Sequence, residues 1–451
     1  MTDLFAARAQ MAMSLAFHIL FAIVGMAMPL LMLLAERRYH RTGDPVYREL
    51  ARRWSKGTAI MFAVGAVSGT ALSFELGLLW PTFMEFAGPI IGMPFSLEGF
   101  AFFLEAIFLG VYLYGWDRVS PRAHMFAGLM VLLSGTASAV FVLCANAWMN
   151  TPAGFTLDAA GELVSVDPFA AMWNPAALSE GLHMTTAAFA AVGFAVAGVH
   201  AAMLLRGARR DFHRAALRIA LTVGSIFALV QPLTGDLAAK HVAEHQPVKL
   251  AAMEGHWDTE RGASFQILGW PDEQAEVTRW AIEVPYVLSF LAFGDPNAEV
   301  KGLKEFPRED RPPVAVVHVA FQIMVGCGLA MIAVAGLGAL FWLRRRPLPD
   351  WYLRVLVFAA PLGVIAIEAG WTVTEVGRQP WIVHGLMRTA DAVTPMPHLN
   401  IPFLAFTALY GLLGATVIVL LRRQVFAAES PALSASHMSL KTSDPEAADA
   451  P

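Results

Sequence analysis

Apolar runs long enough to cross a bilayer recur along this chain, and nothing else in the sequence restricts its fold as strongly. The candidate spans lie at about 11–35, 57–80, 93–114, 124–148, 178–205, 214–238, 313–343, 351–375 and 400–421. As a helix, each covers the roughly 30 Å of a hydrocarbon core. Lipid offers no partner to unpaired backbone groups, so only helices or a closed barrel can span it. No segment shows the alternation of barrel strands. Composition agrees: 57% of the 451 residues are hydrophobic and only 15% charged, against about 25% charged in soluble domains. The expected fold is all-α, a polytopic membrane bundle of about nine transmembrane helices.

Charge placement orients the spans. The segment after span 1 holds Arg37, Arg38, Arg41, Arg48, Arg52, Arg53 and Lys56. Arg118 and Arg122 follow span 3, and Arg206, Arg209, Arg210, Arg214 and Arg218 follow span 5. Span 7 ends in Arg344, Arg345 and Arg346, and span 9 in Arg422 and Arg423; the segments after spans 2 and 4 hold no Lys or Arg. This alternation predicts an outer N-terminus and a cytoplasmic C-terminus. The opening residues include Asp3 and Arg8 and no small-residue cleavage site, so the first run reads as a retained helix. The chain then divides into helices 1–6 (1–238), a charged outer loop (239–312), helices 7–9 (313–423) and a tail (424–451) expected to be disordered in the cytoplasm. Cys144 and Cys327 fall in apolar runs and read as packing residues. The basic residues read as inner-surface anchors, and no nucleic-acid binding is expected.

Ionisable groups inside spans are costly and usually functional. They are His18 in span 1, Glu75 in span 2, Glu98 and Glu105 in span 3, His183 in span 5 and Glu368 in span 8. With Met324 of span 7, they are expected to cluster in the outer half of the bilayer. Imidazole, thioether and carboxylate are all axial ligands of haem iron, and the surrounding Phe and Trp suit a porphyrin. A c-type attachment motif is absent, so haem would be held without covalent bonds. The carboxylates admit two readings, a proton-handling row or neutral acids bonded between helices. His200 and His318, near span ends, read as structural.

At these residues the sequence resembles subunit I of the cytochrome bd family of quinol oxidases. The matching pieces are FHILF around His18, SLEGFAFFLEAIFLG around Glu98 and Glu105, and ANAWM at 145–149. KLAAMEGHW at 249–257, FQIMVG around Met324, IEAGW at 367–371 and GRQPW at 377–381 complete the set. The resemblance implies three haems, two b-type and one d-type or a b-type haem in its place. His183 and Met324 then look like the axial pair of the low-spin b haem. His18 and Glu368 look like ligands of the two high-spin haems, with the pairing of haem to ligand left open. Glu98 and Glu105 match carboxylates on the proton route, and Lys249 and Glu254 match quinol-loop residues. Arg8 and Arg378 are candidates for haem propionates, Trp371 for a porphyrin neighbour, and Arg378 and Gln379 equally for bracing an outer loop.

The implied activity is quinol oxidation near the outer face and oxygen reduction to water, building a proton gradient without a pump. The implied setting is a bacterial inner membrane, with a second membrane subunit and a very small third one. Two features depart from parts of the family: a short quinol loop, and Gln322 where some relatives carry Arg two residues before the ligand Met. Both resemble the cyanide-insensitive branch. The rival readings are a haem electron-transfer subunit that does not reduce oxygen, and a proton-coupled transporter.

Overall fold

The computed structural model describes residues 2–159, 161 and 163–426. Four long helices come first: α1 (Asp3–Thr42), α2 (Pro45–Leu79), α3 (Pro81–Tyr114) and α4 (Pro121–Asn150). A hairpin of β1 (Phe155–Leu157) and β2 (Leu163–Val166) and the short α5 (Pro168–Met172) lead to α6 (Ala177–Leu205) and α7 (Arg210–His245). The next segment opens with α8 (Pro247–Glu254), followed by β3 (Glu260–Arg261), β4 (Phe265–Ile267), β5 (Trp270–Asp272), β6 (Val277–Arg279) and β7 (Ile282–Val284). It closes with α9 (Val287–Phe293) and β8 (Glu299–Val300). The strands pair antiparallel, β5 with β6 inside β4 with β7, and β3 with β8. Then come α10 (Val314–Leu343), α11 (Asp350–Ala359) and α12 (Leu362–Val376). The hairpin of β9 (Trp381–Val383) and β10 (Met387–Arg388), with α13 (Thr389–Ala392), precedes α14 (Asn400–Leu421).

Among the described residues nine helical spans are long and apolar enough to cross a membrane, the number expected. Their ends have local causes. Pro45, Pro81 and Pro121 each occupy a first turn, where the missing N–H costs nothing. Asp44 and Ser120 cap two of these turns through side-chain oxygens. Span 8 is not one continuous helix: it breaks between Ala359 and Leu362, at Pro361.

Three boundaries differ from expectation. Helix α1 begins at Asp3 and not near residue 11, because its first turns pack through Ala6 and Ala7 into a cluster with Trp80, Phe83, Ile382 and Leu399. His18 lies fifteen residues after the start of this helix, in its first half. Helix α7 continues to His245, so the outer segment starts near 246, later than 239. At the other end, a π-helical turn over Arg422–Phe426 extends the last span; the tail from 427 lies outside the described residues.

The spans form two groups of four. Helices α1–α4 pack together, while α6, α7, α10 and the α11–α12 span form the second group; α1 and α4 meet α6 along the seam. Helix α14 lies against α1 and α2. Helices α6 and α7 approach so closely at Gly193 and Gly224 that a Cβ on Gly193 would stand 2.4 Å from the Gly224 Cα. Small residues allow this, and close backbone approach is how helices gain contact in lipid. Outward faces carry Phe100, Phe103, Ile107 and Leu404, all largely exposed, as a bilayer or a membrane partner requires.

Candidate functional site

Each expected iron ligand of the imidazole or thioether type faces a glycine on a neighbouring helix. The His18 ring lies against α2, where Ser68 Oγ is 2.9 Å from Nδ1. A Cβ on Gly69 would meet its Cε1 at 3.0 Å. His183, on α6, lies against Gln231 of α7, whose amide nitrogen is 3.1 Å from Nδ1; a Cβ on Gly235 would reach its Cε1 at 3.4 Å. Met324 of α10 places Sδ where a Cβ on Gly370 of α12 would stand 3.0 Å away. The space these side chains occupy is thus cut into the facing helices. His183 and Met324 belong to the same four-helix group, and His18 to the other.

Helix α12 carries Glu368 and, two turns later, Glu375. Glu368 Oε1 is buried without a partner, and so is the indole nitrogen of Trp371. Glu375 was not singled out in the sequence. It accepts from the Asn146 amide and from Arg378, both at 2.5 Å. Asn146 belongs to α4, so Glu375 lies at the seam between the two helix groups.

Around Arg378 the structure assembles a buried polar network. Asn150, the last residue of α4, accepts at Oδ1 from Lys249 Nζ (2.8 Å) and Arg378 (3.4 Å). Its amide nitrogen donates to Glu180 of α6 at 3.2 Å, and its main-chain oxygen accepts from the Gln246 side chain. The Lys249 stem lies over Gly377, where a Cβ would meet its Cγ at 3.1 Å. Lys249 and Arg378 are only 4% and 2% exposed, so neither is a solvated loop charge. Burial, followed by the Arg378 charge, pushes the Lys249 ammonium down to about 7, against the opposing pull of Glu180 and Glu375. At the other end of α8, Glu254 is 4% exposed with Oε2 unpartnered. Burial pushes its carboxyl up to about 8. The two residues are therefore not a pair with each other. Gln379 braces a loop, accepting from Thr389 Oγ1 at 3.0 Å, and Arg8 is exposed on the first turns of α1.

The carboxylates of α3 lie against α4. Ser138 Oγ donates to Glu98 at 3.3 Å, and a Cβ on Gly135 would meet the Glu105 carboxylate at 3.1 Å. Two turns further, the Tyr112 ring packs on His124, with centroids 4.4 Å apart. His124 Nδ1 is 2.7 Å from Glu36, at a cavity of about 310 Å³ also lined by His40, Arg48 and Asp117. Glu75 is completely buried and accepts from Ser14 Oγ at 2.9 Å. The His318 ring nitrogens lie 2.9 and 3.0 Å from the Met253 and Leu268 carbonyls, and His200 accepts from the Trp54 indole and faces His213.

With this geometry in view, comparison with known proteins is decisive. The sequence profile described as cytochrome bd terminal oxidase subunit I matches residues 6–429. The chain belongs to that family. The bd oxidase structure from Geobacillus thermodenitrificans superposes with a TM-score of 0.89 at 40% identity, over 95% of this chain and 99% of that one. The cytochrome bd ubiquinol oxidase subunit 1 of Bacillus subtilis is 35% identical, over 94% of each chain. The cytochrome bd-II ubiquinol oxidase subunit 1 of Escherichia coli is 30% identical, over 85% of this chain and 88% of its own.

Membership implies haem, and the residues present fit it. Among the described residues no three His, Cys, Asp or Glu side chains converge as a bare metal ion would need. Single imidazole and thioether donors, each in a recess, and a carboxylate with a buried, unpartnered oxygen are what axial ligation takes. The family departure at position 322 also has a structural meaning here. Gln322 accepts from the Leu268 amide (3.1 Å) and donates to the Gln266 carbonyl (2.8 Å), so it clasps the outer segment.

Sequence reasoning missed Asn146, Asn150, Glu180 and Glu375. The same rule that flagged His183 was able to find Glu180 and Glu375, since both lie within the helical spans. The two asparagines carry no charge, and only the fold brings them to the cations.

Proposed function

We propose that this chain is the haem-bearing subunit of a quinol:oxygen oxidoreductase, a multi-pass protein of a bacterial inner membrane. The observation that carries the site assignment is the buried α8, with Lys249 and Glu254 at its ends, beside the helix group that holds His183 and Met324. Lys249 donates to a quinol oxygen, and Glu254 takes a proton as the quinol is oxidised. The Arg-rich segments after odd-numbered spans support an outer position for α8 and a cytoplasmic C-terminus. Protons released at α8 then leave on the outer side.

His183 and Met324 would hold one haem iron, which would supply electron transfer. His18 serves a second iron. A carboxylate of α12 serves the third, and the resemblance points to Glu368, whose buried oxygen lacks a partner. Glu375 is the second reading, favoured by its place at the seam between the helix groups and its bond to Arg378. Arg378 suits a propionate, since its Nε is buried without a partner. Bound haem supplies one-electron transfer and, where one axial position is open, oxygen binding. Glu105 and Glu98 carry protons along α3 toward the oxygen site. The Glu36–His124 pair and its cavity, at the arginine-rich end, support uptake from the cytoplasm. Charge is separated because the two proton sources lie on opposite sides, with no pump. Subunit II and a very small third subunit are the expected partners.

The test is a reduced-minus-oxidised spectrum of the purified complex, repeated with carbon monoxide. Haem bands of which a fraction shifts are expected, and a far-red band adds haem d. Haem with no carbon monoxide response overturns oxygen reduction, and intact protein with no haem overturns the ligand set. Glu368→Gln and Glu375→Gln then separate the two readings of α12. The ligand's substitution is expected to remove or shift one high-spin band, and the other substitution to leave all haem bands in place.

A further inference from the structure

We infer that Asn150 is the positioning residue of the quinol site, seating α8 on the membrane bundle and fixing the Lys249 ammonium. This rests on the assignment of Lys249 to quinol. Two bonds run from the first turn of α8 region to this one residue: Gln246 to its main-chain oxygen and Lys249 to its side-chain oxygen. The second acceptor role of Oδ1, toward Arg378, ties the same amide to the end of α12. The amide nitrogen has no freedom to flip, because it donates to Glu180 and to Asn146. The oxygen is thereby held toward the cations.

The chemistry favours a neutral amide at this point. Lys249 and Arg378 are two buried cations, and Glu180 and Glu375 are the two carboxylates near them. A carbonyl oxygen joins both cations without adding charge. An ammonium carries three donors, and Asn150 takes one, leaving two to meet a quinol oxygen. With the stem laid over Gly377, the ammonium has one end and one side fixed. Losing the Asn150 acceptor frees a long, flexible side chain and leaves a buried charge without its bond.

The experiment uses the whole purified oxidase, with quinol kinetics and the dithionite-reduced spectrum measured for Asn150→Leu, Asn150→Asp, Lys249→Met and the Asn150→Leu/Lys249→Met double variant. Asn150→Leu is expected to raise the quinol KM about tenfold or more, with kcat changed far less and haem bands intact. Asn150→Asp keeps the acceptor but replaces the donor to Glu180 with a second carboxylate, and is expected to recover only part of that loss. In the double variant the KM is expected to match Lys249→Met alone, because the two residues act through one bond. A parental KM in Asn150→Leu, or effects that multiply in the double variant, overturn the positioning role while leaving Lys249 in place. A parental KM in Lys249→Met instead overturns the quinol assignment beneath it. Should Asn150→Leu lose haem, Asn150→Ser is judged by the same criteria.

Discussion

His183→Ala is expected to erase the low-spin b-haem absorbance and to lower quinol oxidation by two orders of magnitude or more. Substitutions that merely support a metal ligand cost about 10–100-fold, and His183 is proposed as the ligand itself. Its recess is formed by Gly235 and flanked by Gln231 on α7, and alanine empties it, leaving Gln231 its bond to the main-chain oxygen of residue 183. Met324→Leu is the matched control for volume, since such exchanges usually cost less than about 1.5 kcal/mol. It removes only the thioether, so the helices should assemble while the low-spin band is lost or shifted. The carbon monoxide-sensitive bands are expected to remain in both. Survival of an unshifted low-spin band in either variant removes that residue from the iron.

Glu254→Gln is expected to slow quinol oxidation by about 10²–10⁴, the range for loss of a general base, with the dithionite-reduced spectrum unchanged. The amide keeps the shape of a side chain that is already buried, so a rate loss reports on proton transfer. The pH profile gives the second check. Burial raises the Glu254 carboxyl to about 8, so its base form is gained as pH rises through that value. Lys249 works in the opposite sense: lowered to about 7, its ammonium is lost as pH rises through that value. The rate should therefore follow a bell, rising as Glu254 loses its proton and falling as Lys249 loses its own. In Glu254→Gln the rising limb should disappear. A rising limb that persists unchanged assigns it to another group.

The spans and the iron-ligand candidates were legible because both follow from residue type and order: apolar length gives the helices, and a His or Glu within one is conspicuous. Helix ends were less legible: the first span was begun near residue 11, where its apolar run begins, whereas the folded helix starts at Asp3. The break in span 8 was written as Pro361, but a proline in an apolar run does not say whether the helix kinks or ends. The network at Asn150 was the least legible part. It joins residues of α4, α6, α8 and α12 that lie up to 228 positions apart, and its hub is a neutral amide at a helix end, where asparagine is ordinary.

Two side chains of α10 hold the segment between α7 and α10: the His318 ring nitrogens lie 2.9 and 3.0 Å from the Met253 and Leu268 carbonyls, and Gln322 donates to the Gln266 carbonyl and accepts from the Leu268 amide. The donors sit one turn apart on a single helix, so the segment is lashed to a mast. A wall fixed in this way does not swing aside as a door. Under the proposed function, quinol therefore meets an α8 that is held in place against α10.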